Sequence, residues 1–565
     1  MKPMPEIENS LLQDAPIAWG NYQSRYQHLI DGVVNPEDIT QFLLDWSDLE
    51  TELDQVQAVR TLRAHLDTRD EAAQTAYREF MTDIHPERER VNGALKQKLL
   101  SLDLSHLPAD AVRLVRRFQA DARLFREENI KVQMQLSELE QEYTQINAAL
   151  KVDFRGEKLG LPQLAPFLLS PDRQDREEAW KASRQTFREA APVLDDLFLR
   201  MLKLRRLLAC NAGYASFRDY MWDKYHRFDY NPQDCLNFHQ TIETEVVPFA
   251  LELLEQHRER LGLEVLRPWD AYWYDRVDPP DCAPLQPFKT AAELVARSAE
   301  VFSRLNPRLA EMFQLFRDHK AMDLEVRENK LSQAYCTSLP VSKLPFVFQQ
   351  VVGTAGDVSV FLHESGHAFH DFLSMHSQRF YWNHMSSSEF IEVPSTAMEL
   401  ITLDALDPFF DPQEMERVKG AAIWQMVHNL PHCCFLDAFQ HWVYSEAPED
   451  VTIEMLDQKA LELLQRFRPV PAWDGFEADR KKLWHFFHVF YVPFYYIEYA
   501  FCGLGALQLW KNQQQDPEKT LQQYLEALEA GNSLSVPELY EKCGLNFKFD
   551  RQTVHDLMDF VRSQG

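Results

Sequence analysis

One ten-residue stretch, FLHESGHAFH at residues 361–370, constrains the fold of this chain more than any other segment. His363 and His367 are four positions apart, so their rings can act together if the segment is an α-helix, where such residues share a face. Two imidazole nitrogens on that face can bind one tetrahedral ion. Glu364 is rotated by about 100° from His363, so it cannot easily bind the same ion, but it can take a proton from a water molecule on it.

The pattern H-E-x-x-H therefore predicts a zinc centre with Glu364 as the general base. The alternative is that these histidines are ordinary core or surface residues of a helix, because short patterns also arise by chance. His370 lies on the same face, but about 10 Å along the axis from His363 at about 1.5 Å per residue. We therefore expect His370 to be structural or to support a ligand, and the alternative is that it is a ligand itself.

A third ligand has to come from another segment. The metzincin pattern would place Gly at 370 and His at 373, where this chain has His370 and Leu373. The acidic segment 386–406 offers carboxylates instead, and Pro394 in it can open a helix. Its glutamates are Glu389, Glu392 and Glu399.

Glu392 and Glu399 are seven positions apart and would share a helical face. One of them could bind the metal while the other orients a histidine. The alternative is a solvated acidic helix start with no role in metal binding.

The remainder of the chain favours helices, because only 17 of its 565 residues are glycine. Apolar periodicity predicts a long amphipathic helix over 114–150 and a pair of helices over 170–209. Strands are predicted at 334–340 and 345–354, just before the histidine segment. Prolines and aromatic residues predict an irregular loop over 267–284. We expect a mainly α-helical fold with a small β-sheet beside the metal-binding helix.

Charge and cysteine usage exclude several classes of protein. The formal net charge of −28 opposes binding to nucleic acid or to an anionic membrane. No apolar run reaches the 18 residues of a membrane span, and the first residues lack the apolar core of a signal peptide, so we expect a cytoplasmic protein. The eight cysteines form no C-x-x-C pair, which predicts buried free thiols rather than disulfides or a thiolate zinc site.

At this point the motifs resemble the oligoendopeptidase F/thimet oligopeptidase family of zinc peptidases. That family combines H-E-x-G-H with a glutamate 25 residues later in an F-x-E-x-P-S context. The angiotensin-converting type would place its glutamate at 391, which is Ile391 here. The matching residues are His363, Glu364, Gly366, His367, Phe390, Glu392, Pro394 and Ser395.

Further stretches resemble the oligoendopeptidase F branch in the same order, from about residue 115 to the end. They include SFRDYMWDKYHRFDY (216–230), AYCTSLPVSKLPFVF (334–348) and HVFYVPFYYIEYA (488–500). One departure is ENKLSQAYC (328–336), where relatives often carry a more glycine-rich turn. The strand beside the substrate is therefore less well matched than the metal site.

The resemblance implies a gluzincin metal centre with one Zn²⁺ per chain. It makes His363, His367 and Glu392 the zinc ligands and Glu364 the general base. Asp357 and Glu399 would support the ligands. The implied fold is a two-lobed helical ellipsoid with a deep central channel and the zinc at its floor. We expect an N-terminal helical domain at 1–185 and a catalytic domain at 186–565.

The aromatic segment 488–500 is the candidate for stabilising the oxyanion. If it is one helix, Tyr495 and Tyr499 lie within about 20° of the direction of His488, whereas Tyr496 is rotated by about 80°. In relatives a histidine and tyrosines of this segment face the substrate, so that role passes to His488 and to the tyrosines as a group. Pro493 can kink the helix and change which ring points inward. The alternative is an aromatic core stripe.

These expectations describe a zinc metalloendopeptidase that hydrolyses short oligopeptides. A peptidyl-dipeptidase or carboxypeptidase of the same family is an alternative, but it needs a cation for the free C-terminal carboxylate, and no sequence spacing reveals one. A catalytically silent peptide-binding protein is the other alternative. We expect short peptides as partners, with no nucleic acid, membrane or obligatory protein partner, and a monomer or homodimer.

Overall fold

Helices make up most of the chain in the computed structural model, which describes residues 11–13, 17–271, 277–279 and 282–565. The strands are β1 (Val152–Phe154), β2 (Glu157–Leu159), β3 (Met322–Asp323), β4 (Tyr335–Leu339) and β5 (Leu344–Phe348). In chain order the helices are α1 (Gly20–Asp31), α2 (Ile39–Leu66), α3 (Glu71–Glu79), α4 (His85–Ser101), α5 (Val112–Leu124), α6 (Glu127–Ala149), α7 (Leu161–Leu168), α8 (Arg173–Asn211), α9 (Phe217–Lys224), α10 (Pro232–Glu245), α11 (Val247–Arg260), α12 (Ala291–Leu305), α13 (Pro307–Asp318), α14 (Ala355–Ser377), α15 (Ser388–Ile401), α16 (Pro412–Ser445), α17 (Ile453–Phe467), α18 (Glu477–Arg480), α19 (Phe487–Phe490), α20 (Ile497–Gln515), α21 (Pro517–Glu529), α22 (Val536–Lys542) and α23 (Arg551–Arg562).

The chain divides into two compact units, each assembled from three separate segments. Unit 1 comprises Met1–Ala122, Leu285–Met415 and Gly505–Phe547. Unit 2 comprises Arg123–Pro284, Glu416–Leu504 and Lys548–Gly565. The expected boundary between residues 185 and 186 falls inside the continuous helix α8. The division into an N-terminal and a catalytic domain at that point stays a prediction.

A small sheet in unit 1 lies between helices. Its strand order is β3-β5-β4, with β3 parallel and β4 antiparallel to β5. All five residues of β5 are buried, as expected for a central strand covered on both faces. Leu339, Phe346 and Phe348 pack in one apolar cluster with Val59 and Leu62 of α2. Helix α14 packs against β4 and β5.

Aromatic contacts hold α14 in unit 1. The ring centroid of Phe369 lies 5.1 Å from that of Phe302 on α12 and 5.8 Å from that of Phe316 on α13. Phe361 lies 6.1 Å from Phe313. All five rings are at most 2% exposed, and edge-to-face pairs of this kind add to the stabilisation from burial. The helix that carries the histidines is therefore fixed within a rigid apolar environment.

Unit 2 contains a second apolar cluster around Trp180 and Trp269 and a buried ion pair. Arg227 Nη2 lies 2.5 Å from Glu498 Oε1, and both side chains are 0% exposed. Removing one member of such a pair is costly, because it leaves an uncompensated buried charge. This ion pair joins the segment after α9 to α20 within the unit.

The predicted fold class, mainly α-helical with a small sheet beside the histidine helix, is confirmed. Both predicted strands exist, as β4 and β5, but β5 ends at Phe348 and not at residue 354. The predicted helix pair over 170–209 is wrong, because α8 runs unbroken through Pro192. Trp180 and Phe198 are buried on either side of Pro192, and this burial offsets the loss of one backbone hydrogen bond.

The single long helix predicted over 114–150 is also wrong, because the chain breaks between α5 and α6. Arg126 is extended there, with φ −141° and ψ 136°. Its guanidinium donates hydrogen bonds to the carbonyl oxygens of Arg123, Phe125 and Ala212 at 3.1, 2.6 and 3.1 Å. These bonds satisfy carbonyls at a helix end, which apolar periodicity alone does not reveal.

Two other expectations concern the loop and the cysteines. The loop predicted over 267–284 has no helix or strand in its described part, and residues 272–276 and 280–281 lie outside the described residues. All eight cysteines are free thiols, as predicted, but not all are buried, because Cys210 is exposed and Cys282 and Cys336 are half-buried. Among the described residues, no helix is long and apolar enough to cross a membrane.

Candidate metal centre

Helix α14 begins with a capping box that fixes its position. Thr354 is the N-cap, and its side chain accepts a hydrogen bond from the backbone N–H of Asp357. The Asp357 carboxylate accepts hydrogen bonds from the N–H groups of Val352, Gly353 and Thr354, each at 2.9 Å. This arrangement pairs backbone donors that a helix start leaves without intrahelical partners. Asp357 is thus a helix cap, and its expected support of the metal ligands stays a prediction.

His363, His367 and Glu392 come together on the facing sides of α14 and α15. Each offers a donor atom, and these atoms all lie within 4.8 Å of one another. Glu392 Oε2 lies 3.3 Å from Nε2 of His363 and 3.3 Å from Nε2 of His367. Two donors that are each about 2.0–2.1 Å from a tetrahedral ion lie about 3.3–3.4 Å apart. The spacing and the donor types therefore fit one zinc ion.

Gly366 allows α14 and α15 to approach closely enough for this grouping. A Cβ atom at this position would lie 2.5 Å from the carbonyl oxygen of Pro394 and 2.6 Å from Cα of Ser395. Both are backbone atoms of α15, so they cannot rotate away as a side chain could. The glycine of H-E-S-G-H is therefore required by the packing of the two helices that carry the donors.

Helix α15 begins earlier than the sequence suggested. Pro394 was expected to open a helix, but α15 starts at Ser388 and Pro394 lies inside it. Glu392 and Glu399 are consequently on one helix and share a face, as their spacing predicted. Tyr524 donates a hydrogen bond to the carbonyl oxygen of Pro394 at 3.0 Å, and Tyr540 donates one to that of Glu389 at 3.1 Å.

Glu399 orients the first histidine. Its Oε1 lies 2.8 Å from Nδ1 of His363, and its Oε2 accepts a hydrogen bond of 2.5 Å from Ser359. This bond favours a proton on Nδ1 and leaves Nε2, on the side of Glu392, free to bind a metal. Ser395 donates a hydrogen bond of 2.8 Å to Oε2 of Glu392. The two serines hold the carboxylates in place.

The charges of this group are strongly coupled. Burial alone would raise the pKa of Glu392, but the adjacent His363 and His367 hold it well below its usual range. Burial alone would lower the pKa of His363, but the carboxylates of Glu392 and Glu399 raise it well above its usual range. The group therefore favours a cation at its centre, which is either a proton shared with the imidazoles or a metal ion.

Glu364 lies beside the group without belonging to it. It is 7% exposed, and burial raises the pKa of its carboxyl, while His367 and His363 lower it. The backbone N–H of Cys336 on β4 also favours the ionised form. A carboxyl whose pKa is raised toward neutrality is suited to accept and return a proton.

His370 does not belong to the group of three donors. It is 2% exposed, and its Nε2 lies 2.9 Å from the hydroxyl of Ser386. Burial and the nearby His367 lower its pKa to about 3. A neutral imidazole bonded to Ser386 agrees with the structural role expected for it.

The segment around His488 is not the single helix on which its expected geometry was based. Helix α19 ends at Phe490, Phe494 has a positive φ of 66°, and α20 begins only at Ile497. The helical phases assigned to the three tyrosines are therefore wrong. Pro493 and Phe494 form the turn that resets the direction of the chain.

The four expected residues nevertheless cluster within unit 2. The ring centroid of His488 lies 4.6 Å from that of Tyr496, 5.9 Å from Tyr499 and 6.4 Å from Tyr495. The nearest ring belongs to the tyrosine that a continuous helix would have turned away. Burial lowers the pKa of His488 to about 4, so its imidazole is neutral near pH 7. His485 lies elsewhere, with its Nε2 2.8 Å from the carboxylate of Asp195.

Ser359 was missed in the sequence, and Ser395 was named only as part of the family motif, without its contact to Glu392. Ser359 lies four residues before His363 and Ser395 three residues after Glu392, so helical spacing contains the signal for both. That signal is weak, because serines at such spacing are common in helices. Only the position of the second helix identifies the ones that contact a carboxylate.

Comparisons with known proteins identify the family that this chain matches. Residues 167–558 match the model of peptidase family M3. An oligoendopeptidase F homolog of Borreliella burgdorferi is 22% identical over 382 residues, which cover 65% of this chain and 61% of the relative. The chain thus spans under two thirds of the length of that curated relative.

Two solved structures share the fold over nearly the whole chain. PZ peptidase A with inhibitor 2 is 25% identical with a TM-score of 0.87, covering 99% of this chain and 100% of the other. A structure assigned to oligoendopeptidase F from Bacillus anthracis str. Ames is 23% identical with a TM-score of 0.84, covering 98% of each chain.

Proposed function

Because the chain belongs to peptidase family M3, we propose that it is a zinc-dependent endopeptidase that hydrolyses short oligopeptides. The observation that carries this proposal is the meeting of His363, His367 and Glu392 at metal-ligand spacing, with Glu364 beside them. The names of the relatives, oligoendopeptidase F and PZ peptidase A, support peptides as the substrate class.

In this proposal His363, His367 and Glu392 hold one zinc ion. When bound, such an ion lowers the pKa of a water molecule to about 7 and polarises a carbonyl group. Glu399 keeps the proton on Nδ1 of His363, so that Nε2 stays available as a ligand. Ser395 holds Glu392 in the orientation that points Oε2 at both imidazoles.

Glu364 moves the proton of the reaction. Its carboxylate accepts a proton from the attacking water and then gives it to the nitrogen of the leaving amine. The raised pKa of Glu364 favours the first of these steps, because a more basic carboxylate accepts a proton more readily. The N–H of Cys336 limits that rise, because its hydrogen bond to the carboxylate favours the ionised form.

The same proposal assigns His488 and the tyrosine group to the oxyanion that forms when the carbonyl is attacked. Donors at that position typically contribute about 10²–10³-fold to the rate. The support for this role is the resemblance to the family and the clustering of Tyr495, Tyr496 and Tyr499 around one neutral imidazole.

The test is digestion of a mixed peptide library by the wild-type chain and by Glu364→Gln. We expect the wild type to cleave internal bonds and to lose activity with a chelator. Glu364→Gln should retain its zinc and lose at least about 10³-fold in kcat, because the proton acceptor is removed while the ligands remain.

Glu389→Gln is the matched control, because Glu389 is also a buried glutamate but lies outside the donor group. It should keep both zinc and activity. Glu364→Gln cleaving at the wild-type rate would reject the assignment of the base. Products released only as C-terminal dipeptides or single residues would replace the endopeptidase proposal by an exopeptidase, and a zinc-loaded but inactive wild type would indicate a peptide-binding protein.

A further inference from the structure

A second set of metal-ligand side chains lies in unit 2, apart from the donors of α14 and α15. Cys235, Asp437 and His441 each offer a donor atom, and these atoms lie within 4.8 Å of one another. Their exposed fractions are 0%, 0% and 1%. Thiolate, imidazole and carboxylate are the three ligand types that bind Zn²⁺ in proteins.

The two helices that carry this set present it as paired residues. Cys235 and His239 are four positions apart on α10, and Asp437 and His441 are four positions apart on α16. Each pair therefore projects from one face of its helix. Metal sites in helix bundles are built in this way, from side chains on facing helices. The ring centroids of His239 and His441 are 5.6 Å apart.

One distance between donors of this set equals a distance in the first metal centre. His441 Nε2 lies 3.3 Å from Asp437 Oδ2, and the same 3.3 Å separates Glu392 Oε2 from each of its two histidines. About 3.3–3.4 Å is the separation of two donors that share one tetrahedral ion.

Buried polar atoms in this set lack hydrogen-bond partners among the described residues. They are Oδ1 of Asp437 and both ring nitrogens of His441. An unpaired buried polar group destabilises the folded state, so native structures rarely contain three together. By contrast, Asp437 Oδ2 lies 2.8 Å from Nε2 of His239. That contact resembles the outer hydrogen bond that orients a metal-binding carboxylate.

We propose that Cys235, Asp437 and His441 bind a second divalent metal ion, Zn²⁺ by the chemistry of the donors, and that His239 orients Asp437. Asp437 Oδ1 supplies the fourth contact by bidentate binding. On binding, the Cys235 thiol loses its proton to solvent and becomes a thiolate. The two negative charges of Cys235 and Asp437 then balance the charge of the ion.

The role of this ion is structural, since the ligands are buried and leave no exposed position for a substrate. The proposal does not depend on the proposed peptidase activity. The competing arrangement is a metal-free network in which the carboxylate of Asp437 pairs with a protonated histidine. In that network Cys235 stays a thiol, so the state of its sulfur distinguishes the two.

Cobalt(II) provides the decisive probe, because only the second set contains a sulfur ligand. The full-length chain is produced in zinc-depleted medium supplemented with cobalt(II), and its near-ultraviolet absorption is recorded. We expect the charge-transfer band of a cobalt–thiolate bond in the wild type. Cys235→Ala should lose the band. Cys336→Ala is the matched control and should keep the band. The Cys336 thiol also lies near a carboxylate, 3.9 Å from an oxygen of Asp371, but Cys336 does not belong to the proposed donor set.

Metal counting on the zinc form completes the experiment. We expect two zinc ions per chain in the wild type and one in His363→Ala, whose cobalt form should keep the thiolate band. One ion per chain without the band in the wild type would overturn the second site. One ion with the band would leave the second site intact and count against the first. The wild-type spectrum and count decide the matter even if Cys235→Ala fails to fold.

Discussion

Glu399 is the residue on which the orientation of His363 depends, because its carboxylate contacts Nδ1 of the imidazole at 2.8 Å. We predict that Glu399→Gln weakens zinc affinity about 10–100-fold, which is typical for loss of a carboxylate behind a metal-binding histidine. Competition with a chromophoric chelator measures the affinity. Unchanged affinity would show that Glu399 does not control the ligand.

Two serines on α14 provide a matched pair of variants that test whether the position of Glu399 affects zinc affinity. Ser359 donates to Glu399, whereas Ser365 donates to the carbonyl oxygen of Phe361 in its own helix. Ser359→Ala should weaken zinc binding in the same direction as Glu399→Gln, but by less. Ser365→Ala should leave zinc binding unchanged.

Helix α15 can approach α14 only because residue 366 is glycine. We predict that Gly366→Ala forces the two helices apart, since a Cβ atom would lie 2.5 Å from the Pro394 carbonyl oxygen. Overpacking of this kind typically costs about 1–3 kcal/mol of stability. Glu392 would move away from the histidines, so zinc affinity should fall together with the midpoint of urea unfolding.

Gly356→Ala is the control on the same helix. The nearest atom to a Cβ there is Thr354 Oγ1 at 3.7 Å, an ordinary contact. We expect Gly356→Ala to keep zinc affinity and stability. Equal behaviour of the two variants would contradict the packing role of Gly366.

Helices α14 and α15 illustrate which features of the site can be predicted from the sequence. The spacing of His363 and His367 predicts a helix and a shared face without further information, because both follow from the geometry of one helix. The choice of Glu392 over Glu389 and Glu399 depends on how α15 docks on α14. Spacing left that choice open, and the family resemblance supplied it.

Breaks and turns were predicted less well than helices. The break between α5 and α6 depends on hydrogen bonds from Arg126 to carbonyl groups, one of them as far along the chain as Ala212. The turn at Phe494 places Tyr496 nearest to His488, contrary to the helical phase. Both features arise from contacts between distant segments, which local periodicity does not contain.

At the scale of the whole molecule, half-buried neutral histidines make stability dependent on pH. Burial lowers the pKa of His384, His428 and His488 to about 4 in each case. In the unfolded chain a histidine has a pKa of about 6.5. Between these values the unfolded chain binds protons that the folded one does not, so stability is complete above about pH 6.5 and falls toward pH 4.

We predict that His428→Leu reduces this loss of stability. Each such histidine contributes at most about 1.4 kcal/mol per pH unit. The free energy of unfolding, measured in urea from pH 7.5 to 4.5, should fall less steeply in His428→Leu than in the wild type. His106→Leu, which changes an exposed histidine, should leave the slope as it is. Identical slopes for both variants would contradict the prediction.

Each unit is assembled from three separate segments of the chain, and this arrangement affects the order in which unit 1 can fold during synthesis. The donors of the first centre all lie between residues 363 and 392, yet α15 is held by Tyr524 and Tyr540, which a ribosome adds about 130–150 residues later. A nascent chain therefore carries its histidines and glutamate long before their scaffold exists. Premature termination between Glu392 and Tyr524 would release a polypeptide with all three donors of the first centre and without the two tyrosines that hold α15.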